Sequence, residues 1–263
     1  MIIDFHTHAF PKIIAAKAIP TLERAGKIMA DHEGTVDSLL ESMDTASIEK
    51  SVICSIATHP SQFEPIFTWS TSIQSERIIP LPSVHPDDHK LLEHLTQIQA
   101  AGFLGIKMHP YYQKFFLDEE RLFPLYQALS DLGLLLVVHC GYDIAFEKTR
   151  LADPARILKI HRSFPELKLV TTHLGGWNIW DEVNSLLIGK NIIMELSFAL
   201  NYLSRKTAKR MLENHPHEYL LFGSDSPWDN QLACIQRLQK LGLTDALLEA
   251  ILYTNGKHLL NVT

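Results

Sequence analysis

Apolar runs of five to seven residues recur along the chain, each followed by a stretch with helical periodicity. The runs at 2–8, 51–57, 78–84, 103–108, 134–138, 167–172, 191–196 and 219–223 read as strands, most of them apolar enough to be buried on both faces. Helical patterns fill the gaps at 35–48, from 61 to about 76, and at 87–101, 119–132, 154–164, 180–188, 205–214, 232–241 and 246–260. One further segment, 9–34, is an extra: it carries a helical stretch at 12–25, opened by Pro11 and interrupted by Pro20, and reads as an excursion over one end of the fold. Eight strands alternating with helices are the pattern of parallel βαβ units, and eight such units close into a barrel. No linker or low-complexity tract breaks the alternation, so the expectation is an α/β fold, a (β/α)₈ barrel forming one domain over residues 1–263. An open doubly wound sheet would carry a glycine-rich phosphate loop after its first strand, where this chain has His6-Thr7-His8.

The polar residues gather where the strands end. The first run ends in His6 and His8, the fourth in Lys107 and His109, the fifth in His139, the sixth in His173 and the eighth in Asp225. In such barrels those ends share one mouth, and catalytic groups sit there. Alternation along a strand turns His6 and His8 the same way, within reach of a single divalent ion. Several imidazoles and a carboxylate at the end of an apolar barrel are costly unless something satisfies them, and a divalent cation does so directly.

Composition narrows the setting. The chain of 263 residues is 46% apolar and 21% charged, with a net charge of −6 that gives no basic footprint for nucleic acid. Cys54, Cys140 and Cys234 are odd in number and lie in apolar surroundings, which reads as reduced thiols and a cytoplasmic location. Met1 leads directly into the first strand without a signal-like segment, and no apolar run approaches the ~18 residues of a membrane span. The expected partner is a small molecule, with no nucleic acid and no membrane. A homodimer is favoured only because symmetric pairs are the commonest assembly.

The ordered set His6-x-His8, His139, His173 and Asp225, with the phrases Gly105-Ile106-Lys107-Met108-His109-Pro110, His173-Leu174-Gly175-Gly176 and Phe222-Gly223-Ser224-Asp225-Ser226-Pro227, resembles the amidohydrolase superfamily. It is most similar to the branch that includes aminocarboxymuconate semialdehyde decarboxylase, over nearly the whole chain. The resemblance implies that His6, His8, His139 and Asp225 bind one divalent ion, usually zinc, and that Asp225 and His173 are catalytic. Asp225 would move the proton of an activated water, and His173 would support a developing oxyanion. The implied reaction is hydrolysis of an amide, ester or lactone. Lys107 stands where binuclear relatives carboxylate a lysine to bridge a second metal; the other readings of it are a cationic clamp on substrate and a solvated side chain. His109, Trp177 and Trp228 are further candidates for substrate contact, and Tyr111, Tyr112, Phe115 and Phe116 for either a pocket floor or an oligomer contact. Glu195 reads more readily as a structural ion pair than as support for the site. The rivals to hydrolysis are decarboxylation, with Lys107, Arg150 or Arg205 as the cations it needs; a TatD-type nuclease, which would want a glutamate where Lys107 stands; and a metal-binding barrel without turnover.

Overall fold

A computed structural model describes residues 1–261; the last two positions of the expected 1–263 domain lie outside the described residues. The eight expected strands are all present and all parallel: β1 Ile3–Thr7, β2 Lys50–Cys54, β3 Ile78–Leu81, β4 Gly105–Met108, β5 Leu135–Val138, β6 Leu169–Thr171, β7 Ile193–Glu195 and β8 Leu220–Leu221. Regular pairing runs β1-β2-β3 and β4-β5-β6-β7-β8. Two seams join these sheets. Phe5 N donates to Phe222 O at 2.8 Å and Asp225 N to His6 O at 2.8 Å across one. Lys107 N donates to Pro82 O at 2.9 Å, and Ser83 Oγ to Lys107 O at 2.7 Å, across the other. The sheet therefore closes on itself as a (β/α)₈ barrel.

The barrel interior is filled by alternate residues of the strands, among them Phe5, Val52, Leu81, Val137, Val170 and Leu221, all buried. The opposite faces of the same strands, such as Ile53, Ile106, Leu136 and Val138, pack beneath the surrounding helices. Because both faces are covered, the strands show little polar alternation, which is why they read as continuous apolar runs. No helix among the described residues is long and apolar enough to cross a membrane.

One expectation is corrected. The helix after β1 is not interrupted by Pro20 but runs unbroken over Lys12–Gly26. Pro20 and Ala16, four residues earlier, are both exposed, so the carbonyl left without an N–H donor can be hydrated.

Candidate active site

A β-bulge sets up the first two ligand candidates. Along β1 Asp4 pairs with Ser51 and Thr7 with Ile53, so one extra residue is accommodated between them. Phe5 packs inside the barrel core, and the bulge nevertheless lets His6 and then His8 turn toward the mouth as well. Asp4 leaves the barrel interior: it is fully buried and accepts from Ser224 N, Ser224 Oγ and Gln231 Nε2, tying β1 to the loop after β8. Burial pushes its pKa up to about 7 against the pull of those donors.

The tautomers of His6 and His8 follow from their partners. His8 Nδ1 lies 2.8 Å from the Cys54 carbonyl, which can only accept, and His6 Nδ1 lies 3.0 Å from Glu195 Oε1. Both Nδ1 atoms therefore carry the proton, and both Nε2 atoms present lone pairs. These face one another at 3.2 Å and face Asp225 Oδ1 at 3.4 and 3.0 Å. Asp225 Oδ1 is buried and accepts no hydrogen bond among the described residues. Three electron-rich atoms without a proton between them repel. Tetrahedral donors about 2.0–2.1 Å from zinc sit about 3.3–3.4 Å apart, so the spacing suits one divalent ion. The trio fits the metal implied by the sequence.

Lys107 and Glu195 form a buried polar layer beneath the trio, neither exposed to any measurable extent. Lys107 Nζ lies 3.2 Å from His6 Nε2, so it is not a solvated side chain. Glu195 Oε1 accepts from His6 Nδ1, the His173 backbone N–H at 2.9 Å and Ser197 Oγ at 2.8 Å, while its Oε2 accepts from Ser197 N. Room for this carboxylate comes from Gly223, where a Cβ would stand 2.1 Å from Glu195 Oε2. Glu195 is thus the group that fixes the tautomer and aim of His6. Replacing it by Gln places an NH₂ against at least one of these donors. Glu195→Gln is expected to weaken divalent-metal affinity by about 10–100-fold, read by competition with a chromophoric chelator. Unchanged affinity would show that His6 holds its aim without this partner.

The structure sets His139 beside the trio, not within it. Its Nε2 donates to Tyr142 O at 2.9 Å, and its Nδ1 meets His173 Nε2 at 3.0 Å. His173 Nδ1 is held by Ser197 O at 3.1 Å and Ser197 Oγ at 2.9 Å. This network also turns two lone pairs toward each other, between His139 and His173. His109 stacks on His139 with ring centroids 4.1 Å apart and lies 3.3 Å from Asp143 Oδ2. Burial, reinforced by neighbouring cationic groups, pushes His173 down to about 4 and His109 and His139 each to about 3. At neutral pH these rings are uncharged. Asp143 and Ser197 are not singled out by the sequence pattern; Asp143 follows His139 by four residues, and that spacing is the available signal.

His173, Leu174, Phe198 and Asp225 all have left-handed backbone, with φ of 58, 54, 58 and 66°. Such non-glycine outliers cost about 1–3 kcal/mol each and persist where the surroundings over-determine them. Here they bend the chain into the mouth beyond β6, β7 and β8.

The trio and Lys107 open into a cavity of about 430 Å³. Trp177, Trp228, His109 and Tyr112 are on its wall, as are Phe10, Ile14 and Ile28 of the 9–34 segment. Other candidates fall elsewhere. Phe115 is core, Phe116 is exposed beneath Arg156, and Tyr111 donates its hydroxyl to Thr149 O. His59 and His85 accept from the backbone N–H groups of Ser61 and Asp87 and serve their turns.

A family model described as amidohydrolase matches residues 3–262. Among curated proteins, the dihydroorotase of Pseudomonas syringae pv. syringae is 24% identical over 196 residues, covering 71% of this chain and 52% of that protein. The chain thus spans about half the length of this relative. An uncharacterised TIM-barrel protein from Bordetella bronchiseptica superposes with a TM-score of 0.80 at 18% identity, over 99% of this chain and 98% of the other. The 5-carboxyvanillate decarboxylase of Sphingomonas paucimobilis gives 0.75 at 12% identity, over 100% and 99%. At these identities the structural likeness shows a shared fold.

Proposed function

Because the chain belongs to the amidohydrolase family, we propose that it is a metal-dependent hydrolase acting on an amide, ester or lactone of a small organic molecule at the barrel mouth. The observation that carries this is the convergence of two imidazole lone pairs and an unpartnered carboxylate oxygen within 3.0–3.4 Å, beside a buried lysine. His6, His8 and Asp225 would hold the ion, with His139 as the further donor implied by the resemblance. A divalent ion there, zinc first among the choices, supplies Lewis acidity, polarising a carbonyl oxygen and making hydroxide available from water near pH 7. Asp225 takes the proton of the attacking water and passes it to the leaving group. His173, protonated on Nδ1 by its contact with Ser197, offers Nε2 as a second proton acceptor, and donates to an oxyanion only after it has taken that proton. Lys107 stabilises negative charge on the substrate.

Decarboxylation is the second reading, and one observation favours it: among the described residues Lys107 is the lone lysine or arginine on the cavity wall, a cation for a substrate carboxylate. Arg150 is paired with Glu182 and Asp153, and neither it nor Arg205 lines the cavity. A decarboxylase among the similar structures is in keeping with this reading. The three cysteines, all buried and unpaired, support a reducing, cytoplasmic setting.

Metal content per chain, by elemental analysis of protein purified without chelator, tests the shared premise. About one equivalent is expected, lost in His6→Ala. Two equivalents, halved in Lys107→Ala, would instead make Lys107 a bridge between two ions. No metal even after reconstitution would overturn both readings.

A further inference from the structure

The polar floor of the cavity and its long apolar wall belong to one continuous space, and together they define a ligand. Among the described residues Lys107 is the only lysine or arginine on the lining, whereas Asp143, outside the three donors of the ion, also lines it, so a second ligand carboxylate would meet like charge. Above the floor the wall includes Ile56, Ile66, Trp69, Phe10, Leu22 and Ile28. At the rim, Ile14 of helix Lys12–Gly26 is 49% exposed and Ile144 of the loop after β5 is 39% exposed. These two segments meet across the mouth, for a Cβ on Gly26 would lie 3.2 Å from Ile144 Cγ2. Trp177, also on the lining, has an indole N–H that is buried without an acceptor among the described residues, a donor left free for a ligand oxygen.

We infer that the cavity binds a monocarboxylate with an extended apolar body, its carboxylate near Lys107 and its alkyl or aryl body reaching Ile14 and Ile144. The inference rests on the reading that chemistry occurs among His6, His8, Asp225 and Lys107. Both reactions give such a ligand. Hydrolysis joins the water oxygen to the acyl carbon and breaks that carbon's bond to the alkoxide or amine, leaving a carboxylate as product. Decarboxylation takes a carboxylate as substrate, breaking its C–C bond to release CO₂ while the remaining carbon takes up a proton.

Isothermal titration calorimetry of the metal-loaded protein with benzoate, 4-ethyl-, 4-butyl- and 4-hexylbenzoate, and with isophthalate, tests the inference without requiring turnover. Each added pair of methylenes is expected to tighten Kd roughly tenfold while the body stays within the cavity. Isophthalate should bind at least about tenfold more weakly than benzoate, because with one carboxylate at Lys107 and the ion, the ring carries the second onto an apolar wall that offers it no cation. The double variant Ile14→Ser, Ile144→Ser should remove most of the gain of hexylbenzoate over benzoate. Lys107→Met should weaken every monocarboxylate by a common factor. A Kd independent of chain length, isophthalate binding as tightly as benzoate, or no binding by any member would each overturn the inference. A length-dependent series in a protein that neither holds metal nor turns over any substrate would instead overturn the reaction assignment and leave the ligand class standing.

Discussion

Asp225→Asn is expected to lower kcat by about 10³-fold, the scale of a lost general acid–base group, with the fold unchanged. The substitution is unusually clean. Asp225 has φ of 66°, a left-handed conformation that asparagine adopts with little penalty and alanine does not. The backbone bonds from Asp225 N to His6 O and from Trp228 N to Asp225 O, at 2.8 and 2.9 Å, do not involve the carboxylate. What changes is the chemistry at Oδ1: an amide oxygen is a poor proton acceptor, and an amide NH₂ turned toward His6 and His8 would donate to their lone pairs and compete with the metal. The measurement is kcat at saturating metal on any substrate the wild type turns over, beside thermal melting by circular dichroism. A normal rate would sink the assignment of Asp225 as the proton carrier.

The barrel was legible because parallel strands covered on both faces must be apolar throughout, and the runs around Val52, Val137 and Val170 show this directly. Strand lengths were less so. The stretches read at 191–196 and 219–223 pair only over Ile193–Glu195 and Leu220–Leu221. Just beyond these stretches the chain turns in left-handed conformations at Phe198 and Asp225 that composition does not announce. Pro20 misled for a related reason: a proline signals a lost hydrogen bond, and only the structure tells whether water can replace it.

At the site, the identity of His6, His8, His173, Lys107 and Asp225 could be read from where apolar runs end. The bulge in β1 could not, since strict alternation would set His6 opposite Phe5 and out of the barrel that Phe5 helps fill. Nor could the role of Glu195. An isolated acid at the end of an apolar strand looks like half of an ion pair; that it accepts from His6, His173 and Ser197 depends on the absence of a side chain at Gly223, far away in sequence. Such polar networks are specified by convergence of several strand ends, and no single segment carries the pattern.

Metal-free protein should lose stability steeply as pH falls from about 6.5 toward 4, because the mouth is built from neutral imidazoles that cannot easily charge. Burial holds His173 at about 4 and His109 at about 3, with His6 well below its ordinary value, whereas an unfolded histidine titrates near 6.5. A depressed histidine contributes stability that is complete above the unfolded pKa and is lost as pH drops toward the folded one, since the unfolded chain then binds the extra protons. Asp4 works in the opposite sense. Its folded pKa of about 7 means that the native state binds the extra proton between about 4 and 7, which adds stability over that window. Each titrating group contributes about 1.4 kcal/mol per pH unit. The four mouth histidines, His6, His109, His139 and His173, less one raised carboxyl, contribute a net loss of about 4 kcal/mol per pH unit, or about 3 if His139 and His173 share one proton between their facing nitrogens. Against a total stability of about 5–15 kcal/mol, that is enough to unfold the chain within a few units. Urea denaturation of chelator-treated protein at pH 7, 6 and 5 measures the slope. Stability that stays level across that range would mean the buried histidines accept protons in the native state, and that the lone pairs assigned to them are not what faces the mouth.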